Sequence, residues 1–143
     1  MVFREAKVED IPALYEVRLS VKENVLSDPR KVTREMCVDY LSVSGKGWLC
    51  EVDGEAVGFS VASLRDASIW ALFVKPGYEG RGIGTRLLSL ATGWLFGMGV
   101  SSISLSTEAN TRADKVYERL GWRRGEIKSD GEVSYRLDNP GRT

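Results

Sequence analysis

The sequence contains no histidine. The side chain most used as a general base near neutral pH, and most used to bind metals, is therefore missing. Cysteine is scarce. Cys37 and Cys50 sit in apolar stretches with no metal-ligand spacing, so they read as buried thiols of a reducing compartment, and no metal site is expected. Net charge is also absent: Lys plus Arg and Asp plus Glu each number 20. A chain that works on nucleic acid carries a basic excess, so no nucleic-acid partner is expected. The longest helical apolar stretch, Ile83 to Met98, is interrupted by Arg86, Ser89 and Thr92 and is expected to span no membrane. Met1 to Lys7 holds no apolar h-region, which argues against a secretory signal and makes the cytoplasm the default.

What is present suits one domain over residues 1–143, with 43% hydrophobic and 28% charged residues. At this length roughly two-thirds of the unfolded surface can be buried. Val2 to Ala6 reads as a strand. Asp10 can cap a helix that tolerates Pro12 in its first turn and repeats Ile11, Leu14, Val17 and Val21 at helical spacing. Asn24 to Arg30 reads as loop, and Thr33 as the cap of a second helix with Met36, Cys37, Tyr40 and Leu41 on one side. Trp48 to Val52 and Ala56 to Leu64 flank Asp53-Gly54, a hairpin dipeptide. Ile69 to Val74 is continuously apolar, as for a central strand covered on both faces. A long helix carries Leu87, Leu88, Ala91, Trp94, Leu95 and Met98, and Ser101 to Ser106 is the next strand. Asn110 can cap a last helix with Ala113, Val116, Tyr117 and Leu120 inward, stopped at Gly121. Trp122 to Lys128 and Glu132 to Leu137 close a hairpin around Asp130-Gly131. The order is βααβββαβαββ: an α/β (α+β) fold with a mixed, mostly antiparallel sheet. Its one crossover should pair Ile69–Val74 with Ser101–Ser106 in parallel, at least at one end.

The informative segment runs from Val74 to Thr85, where Gly80, Gly82 and Gly84 alternate between the end of a central strand and a helix. Glycines let a backbone close around an anion, and the unbonded N–H groups of the first helical turn point at it. A pyrophosphate fits that description, with Arg81, Arg86 and Lys75 near in sequence. The Gly-Lys-Ser/Thr ending of a P-loop is missing, and the dinucleotide fingerprint fails because its third glycine falls on Thr85 or Leu87. A nicotinamide site is therefore a distant alternative.

The second segment is Leu105 to Trp122, with Asn110 near a helix start and Tyr117 followed by three spacers, Gly121 and Trp122. Together the two segments resemble the GNAT superfamily of acyl-CoA-dependent N-acetyltransferases, whose members carry a Gln/Arg-x-x-Gly-x-Gly/Ala signature after the fourth strand. The resemblance covers Val2 to Leu137. One position departs from it: Glu79 stands where the signature has Gln or Arg, which puts that side chain's role in question and leaves the backbone cradle untouched.

The resemblance implies acetyl-CoA as co-substrate and a small-molecule or peptide amine as acceptor, with a homodimer as in many relatives. It also implies splayed fourth and fifth strands. Gly80, Arg81, Gly82, Ile83, Gly84 and Thr85 would take the pyrophosphate. Leu72, Phe73 and Val74 would take the pantetheine arm, with Asn110 reaching it from the other side. Tyr117 would be the general acid, protonated at neutral pH because a free phenol has pKa ~10. Backbone N–H at Phe73 or Val74 would meet the oxyanion. No base stands out; Glu23, Asp28, Glu51 and Glu108 are the candidates. Glu23, Asn24, Asp28 and Trp70, with Tyr15 and Tyr40, are the expected acceptor residues. The alternative is a non-catalytic acyl-CoA-binding or sensing module that keeps the cradle and lacks turnover.

Overall fold

The computed structural model describes residues 1–21 and 34–140. Strand β1 (Val2–Ala6) leads through a 3-10 turn (Val8–Asp10) into α1 (Ile11–Ser20). Then follow α2 (Arg34–Ser42), β2 (Gly45–Val52), β3 (Glu55–Ser63), β4 (Ser68–Val74), α3 (Ile83–Gly97), β5 (Ser102–Glu108), α4 (Arg112–Arg119), β6 (Arg123–Ile127) and β7 (Glu132–Asp138). The order is the one expected. Thr33, expected to cap α2, lies outside the described residues.

Among the described residues the strands form one sheet in the order β1-β2-β3-β4-β5-β7-β6. Every neighbouring pair is antiparallel except β4 with β5, which run parallel and are paired only at Ser68 and Ser104. Beyond that point the two strands part. This corrects the reading of Ile69 to Val74 as a strand covered on both faces: only Ile69 is fully buried, and Trp70 to Val74 are half-buried. An extra residue at Trp70 also breaks the alternation, because Val61 faces Ala71 while Ala62 faces Ile69. Such a bulge re-aims side chains. Ile69, Leu72 and Val74 join the core under α3, while Trp70, Ala71 and Phe73 join the core under α1 and α2.

Those two cores lie on opposite faces of the sheet. Phe59 and Val61 pack with Leu14, Val17 and Leu49 toward α1. The intervening Gly58 and Ser60 face α3. A Cβ on Gly58 would come within 3.1 Å of Leu87 Cδ1 and 3.2 Å of Ile83 Cγ2, so glycine there lets the first turns of α3 sit close to the strand. Ser60, fully buried, donates its hydroxyl to the Leu87 carbonyl at 3.0 Å and pins the helix to β3.

Local structure differs from expectation at three places. Asp10 makes no side-chain cap to α1. Its carboxylate turns back to accept from the Lys7 N–H at 2.8 Å and from Arg4 at 2.8 and 2.9 Å, which closes the 3-10 turn instead. Leu120 is exposed rather than inward, because it falls where its helix ends. The cap of α4 is Thr111, whose Oγ1 accepts from the Asp114 N–H, and not Asn110. Asn110 instead takes a left-handed φ of 64° one residue earlier.

Candidate active site

The chain leaves β4 through a turn closed by the Tyr78 N–H on the Lys75 carbonyl at 3.1 Å. Gly77, Gly80 and Gly82 all have left-handed φ, at 93°, 76° and 82°. Helix α3 starts at Ile83, and the Arg86 N–H closes its first turn on the Gly82 carbonyl. The N–H groups of Ile83, Gly84 and Thr85 precede that bond and have no carbonyl within the helix to receive them. A Cβ at Gly82 would point into open space, so its glycine answers to backbone conformation and not to packing. A Cβ at Gly84 would lie 3.6 Å from Val74 Cγ2 and narrow the gap between helix and strand.

This loop forms one wall of a cavity of about 260 Å³ on the α3 and α4 side of the sheet. Of the residues expected at a cofactor, Leu72, Phe73, Val74, Gly80, Gly82, Gly84 and Thr85 line it, as does Tyr117. Three others are not brought to its wall. Ile83 is core, Arg81 is exposed with its guanidinium 5.1 Å from the Tyr78 ring, and Asn110 lies in a separate polar depression with Asp114 and Arg124. Two further cations also have partners. Lys75 Nζ is 3.2 Å from Glu16 and 3.1 Å from Glu55, which hold its pKa up, and Arg86 lies over the Phe3 ring.

The open edge of β4 has a defined set of donors. The Lys75 N–H bonds the Val57 carbonyl at 2.7 Å. Alternation along an antiparallel strand then turns the Phe73 N–H toward β3 and leaves those of Leu72 and Val74 facing the gap.

A second cavity, of about 290 Å³, opens on the α1 and α2 side. Tyr15 and Trp70 line it, and Tyr40 stacks on Trp70 with ring centroids 4.2 Å apart. Glu23, Asn24 and Asp28 lie outside the described residues. Two charged side chains that sequence reasoning missed also line it, Arg18 and Glu132. Arg18 follows Leu14 and Tyr15 at helical spacing, a signal that was available. Glu132 depended on a register that only the sheet shows, opposite Glu108. Glu51, a base candidate, lies away from both cavities, bound to Arg4 at 2.6 Å.

The two cavities share three wall residues: Leu72, Phe73 and Tyr117. Tyr117 is held by its helix end. The Gly121 N–H bonds the Glu118 carbonyl and the Trp122 N–H bonds the Tyr117 carbonyl, while the Tyr117 and Trp122 rings meet at 6.0 Å. That is a Schellman stop with its hydrophobic contact, and it requires the left-handed φ of 93° at Gly121. The spacing of Tyr117, Gly121 and Trp122 is thus a physical unit. Burial of the phenol, with a smaller contribution from Tyr135, raises the Tyr117 pKa well above the usual range, so it holds its proton at neutral pH.

One turn earlier, the buried Asp114 ties α4 to β6 and β7. Arg124 donates to it from Nε and Nη2 at 3.1 and 3.0 Å, Tyr135 donates its hydroxyl, and the Asn110 N–H donates at 2.8 Å. Arg124 above all, then Tyr135 and that N–H, hold the Asp114 carboxyl far below the ordinary range. Burial, and then the Asp114 bond, push Tyr135 up to about 12. Among the described residues no cluster could hold a metal ion, and no helix is long and apolar enough to cross a membrane.

A parted parallel pair with a glycine-lined cradle beside it is the architecture of an acyltransferase fold, and comparison with known proteins agrees. Residues 11–122 match the model of the acetyltransferase (GNAT) family, and the chain belongs to that family. It is 29% identical to a mycothiol acetyltransferase of Streptomyces coelicolor over 96 residues, which cover 64% of the chain and 30% of that relative. The chain thus spans about a third of that relative's length. Among solved structures it superposes on a GNAT acetyltransferase of Staphylococcus aureus with TM-score 0.81 and 21% identity, covering 96% of this chain and 98% of the other. It matches the PaiA N-acetyltransferase of Thermoplasma acidophilum, solved with coenzyme A, with TM-score 0.80, 18% identity and the same coverages.

Proposed function

We propose that the chain transfers an acetyl group from acetyl-CoA to a primary amine by direct attack. The observation that carries this reading is the meeting of the two cavities at Leu72, Phe73 and Tyr117. A donor on one face of the sheet and an acceptor on the other can touch only there. Family membership supports the donor, as does the coenzyme A bound by the Thermoplasma relative. The cradle suits its pyrophosphate: three N–H groups at a helix start, left-handed glycines around them and open space in front.

In this reading the N–H groups of Leu72 and Val74 bond the pantetheine arm as a neighbouring strand would, and one of them, most directly Val74, meets the developing oxyanion. Acetyl-CoA supplies the activated acyl group. An ordinary amine has pKa ~10.4 and must lose a proton before it attacks. The new C–N bond forms as the C–S bond breaks. Tyr117 gives its proton to the departing sulfur, which leaves as the thiol, and regains one from solvent. The amine's proton passes to solvent, directly or through a carboxylate of the acceptor cavity.

The test is calorimetric titration with acetyl-CoA, with NAD(H) as control, followed by thiol release in the presence of amines. Binding of acetyl-CoA alone together with amine-dependent release is the expected result. Binding without release from any amine would leave an acyl-CoA-binding module, and no binding would remove the reading.

A further inference from the structure

The parted strands give the acceptor cavity two unlike sides. On the side of α1, α2, β3 and β4 the walls are mainly apolar, with Leu14, Leu41, Phe59, Val61 and Trp70 among them. Across the gap, a hydroxyl and a carboxylate enter from β5 and β7, those of Ser106 and Glu132. Glu132 opens β7 opposite Glu108, so only β5 lies between it and the gap. Among the described residues that line the cavity, Glu132 is the one carboxylate. Its side chain has no ion-pair or hydrogen-bond partner among the described residues.

The apolar side has a flat, supported wall. The bulge at Trp70 turns the indole to the α1 and α2 face of the sheet. Tyr40 stacks on it there, with ring centroids 4.2 Å and planes 22° apart. Trp70 lines the cavity and Tyr40 does not, so the tyrosine backs the indole and fixes its angle. An indole held this way offers a large apolar face to a ring or an alkyl chain. Arg18 also lines this side, but its guanidinium lies 4.4 Å over the Phe73 ring and counts as wall.

Size and polarity narrow the guest. About 290 Å³ falls at the small end of the ~300–1,000 Å³ range of small-molecule sites. A carboxylate on the guest would leave water for apolar walls, at a cost, and would face Glu132. A polyamine would lay further ammonium groups along those walls, and a peptide would lay polar amides there. A short polar amine would leave Trp70 and its neighbours uncovered. A body of apolar carbon with a single ammonium complements both sides.

Resting on the transferase reading, we infer that the acceptor is a hydrophobic primary monoamine, with an aromatic or branched aliphatic body against Trp70 and its ammonium drawn to Glu132. Trp70 and Glu132 are then specificity-determining residues, one for the body and one for the charge.

The experiment measures thiol release from acetyl-CoA with phenethylamine and isopentylamine, against phenylalanine, ethanolamine, spermidine and a short peptide, with acetyl-CoA affinity titrated in parallel. The two hydrophobic monoamines are expected to be the better acceptors, with kcat/KM at least about tenfold above the rest. Phenethyl alcohol, which has the body without the charge, should inhibit competitively. Glu132→Gln should raise the KM for phenethylamine about two- to fivefold, the size of a partly exposed ion pair, and leave inhibition by the alcohol unchanged. Trp70→Ala should weaken amine and alcohol alike by about tenfold or more, as expected for lost apolar contact. Thermal melting of each variant separates lost recognition from lost folding. If phenylalanine, ethanolamine, spermidine or the peptide matches phenethylamine while acetyl-CoA still binds, the acceptor assignment is overturned and the transferase reading stands. An unchanged KM in Glu132→Gln, or equal weakening of the alcohol, overturns the placement of the ammonium. If no amine is acetylated, ligand-observed NMR on the acetyl-CoA complex decides: tighter binding of phenethylamine than of phenylalanine, weakened by Glu132→Gln, supports the assignment, and any other result overturns it. Absence of acetyl-CoA binding is the distinct failure, that of the underlying reading, and takes this inference with it.

Discussion

The cavities on the two faces of the sheet meet at the same three residues yet are made of different material. On the α3 side the wall is largely backbone: left-handed glycines, the first N–H groups of a helix and the unpaired edge of β4. On the α1 side it is side chains drawn from α1, α2, β3, β4, β5, α4 and β7. A backbone site recognises what every substrate of the reaction shares, and a side-chain site can be rewritten residue by residue to suit one acceptor. The difference also predicts unlike responses to mutation: abrupt on the backbone side, graded on the other.

The sharpest break should come from Gly82→Val. A β-branched residue at φ 82° is strained by about 1–3 kcal/mol and carries its methyls into the open space in front of the cradle. Acetyl-CoA affinity should fall by more than about a hundredfold, equivalent to roughly 2.7 kcal/mol, in a protein that still melts cooperatively. Unchanged affinity by calorimetry would place the pyrophosphate elsewhere.

Next is Tyr117→Phe at the junction. Among the described residues the phenol is the one ionisable side chain that both cavities share, so kcat should drop about ten- to a thousandfold while the Kd for acetyl-CoA changes little. Steady-state kinetics beside a binding isotherm checks this. Intact turnover would reduce Tyr117 to a packing residue between Trp122 and Tyr135.

A smaller effect is expected beneath the junction, at Asp114→Asn. Arg124 and Tyr135 lose an ionised partner, at a cost of about 1–3 kcal/mol. The sign of the pH dependence follows from the depressed carboxyl. Its stabilisation is complete above the unfolded pKa of ~3.9 and is lost as pH falls toward the folded value. Urea midpoints from pH 6 down to pH 2 should therefore decline more steeply for the parent than for the variant. Parallel curves would show that the cluster contributes nothing through its charge.

The mildest is Thr111→Ala, which removes the cap that accepts from the Asp114 N–H and should cost about 1 kcal/mol. Because α4 carries Tyr117, kcat should fall slightly with acetyl-CoA affinity unchanged. A variant as stable as the parent would mean that the Asp114 cluster alone anchors the helix.

Element order could be read along the chain because each signal is local. Asp53-Gly54 turns with φ of 52° and 80°, Gly121 stops α4, and apolar spacing gives α1 and α3 their inward faces. The misreadings fall where a competing partner or backbone conformation displaced the expected one. Asp10 had Arg4 and the Lys7 N–H within reach and left the helix uncapped. Thr111 took the cap because Asn110 was already in a left-handed turn. Trp70 broke the strand's alternation through a bulge that no composition signals.

By itself, then, the sequence determined the order of elements, the glycine cradle and the paired motifs ending in Trp122, because turn glycines, helix stops and apolar periods act over a few neighbouring residues. Only the tertiary structure decided that β4 and β5 part after one pair, which N–H groups face the gap, and that Arg18 and Glu132 share a cavity across it. Those facts depend on strand register and on packing between segments distant in the chain, from Val57 against Lys75 to Arg18 in one cavity with Glu132, and no local signal encodes a contact of that kind.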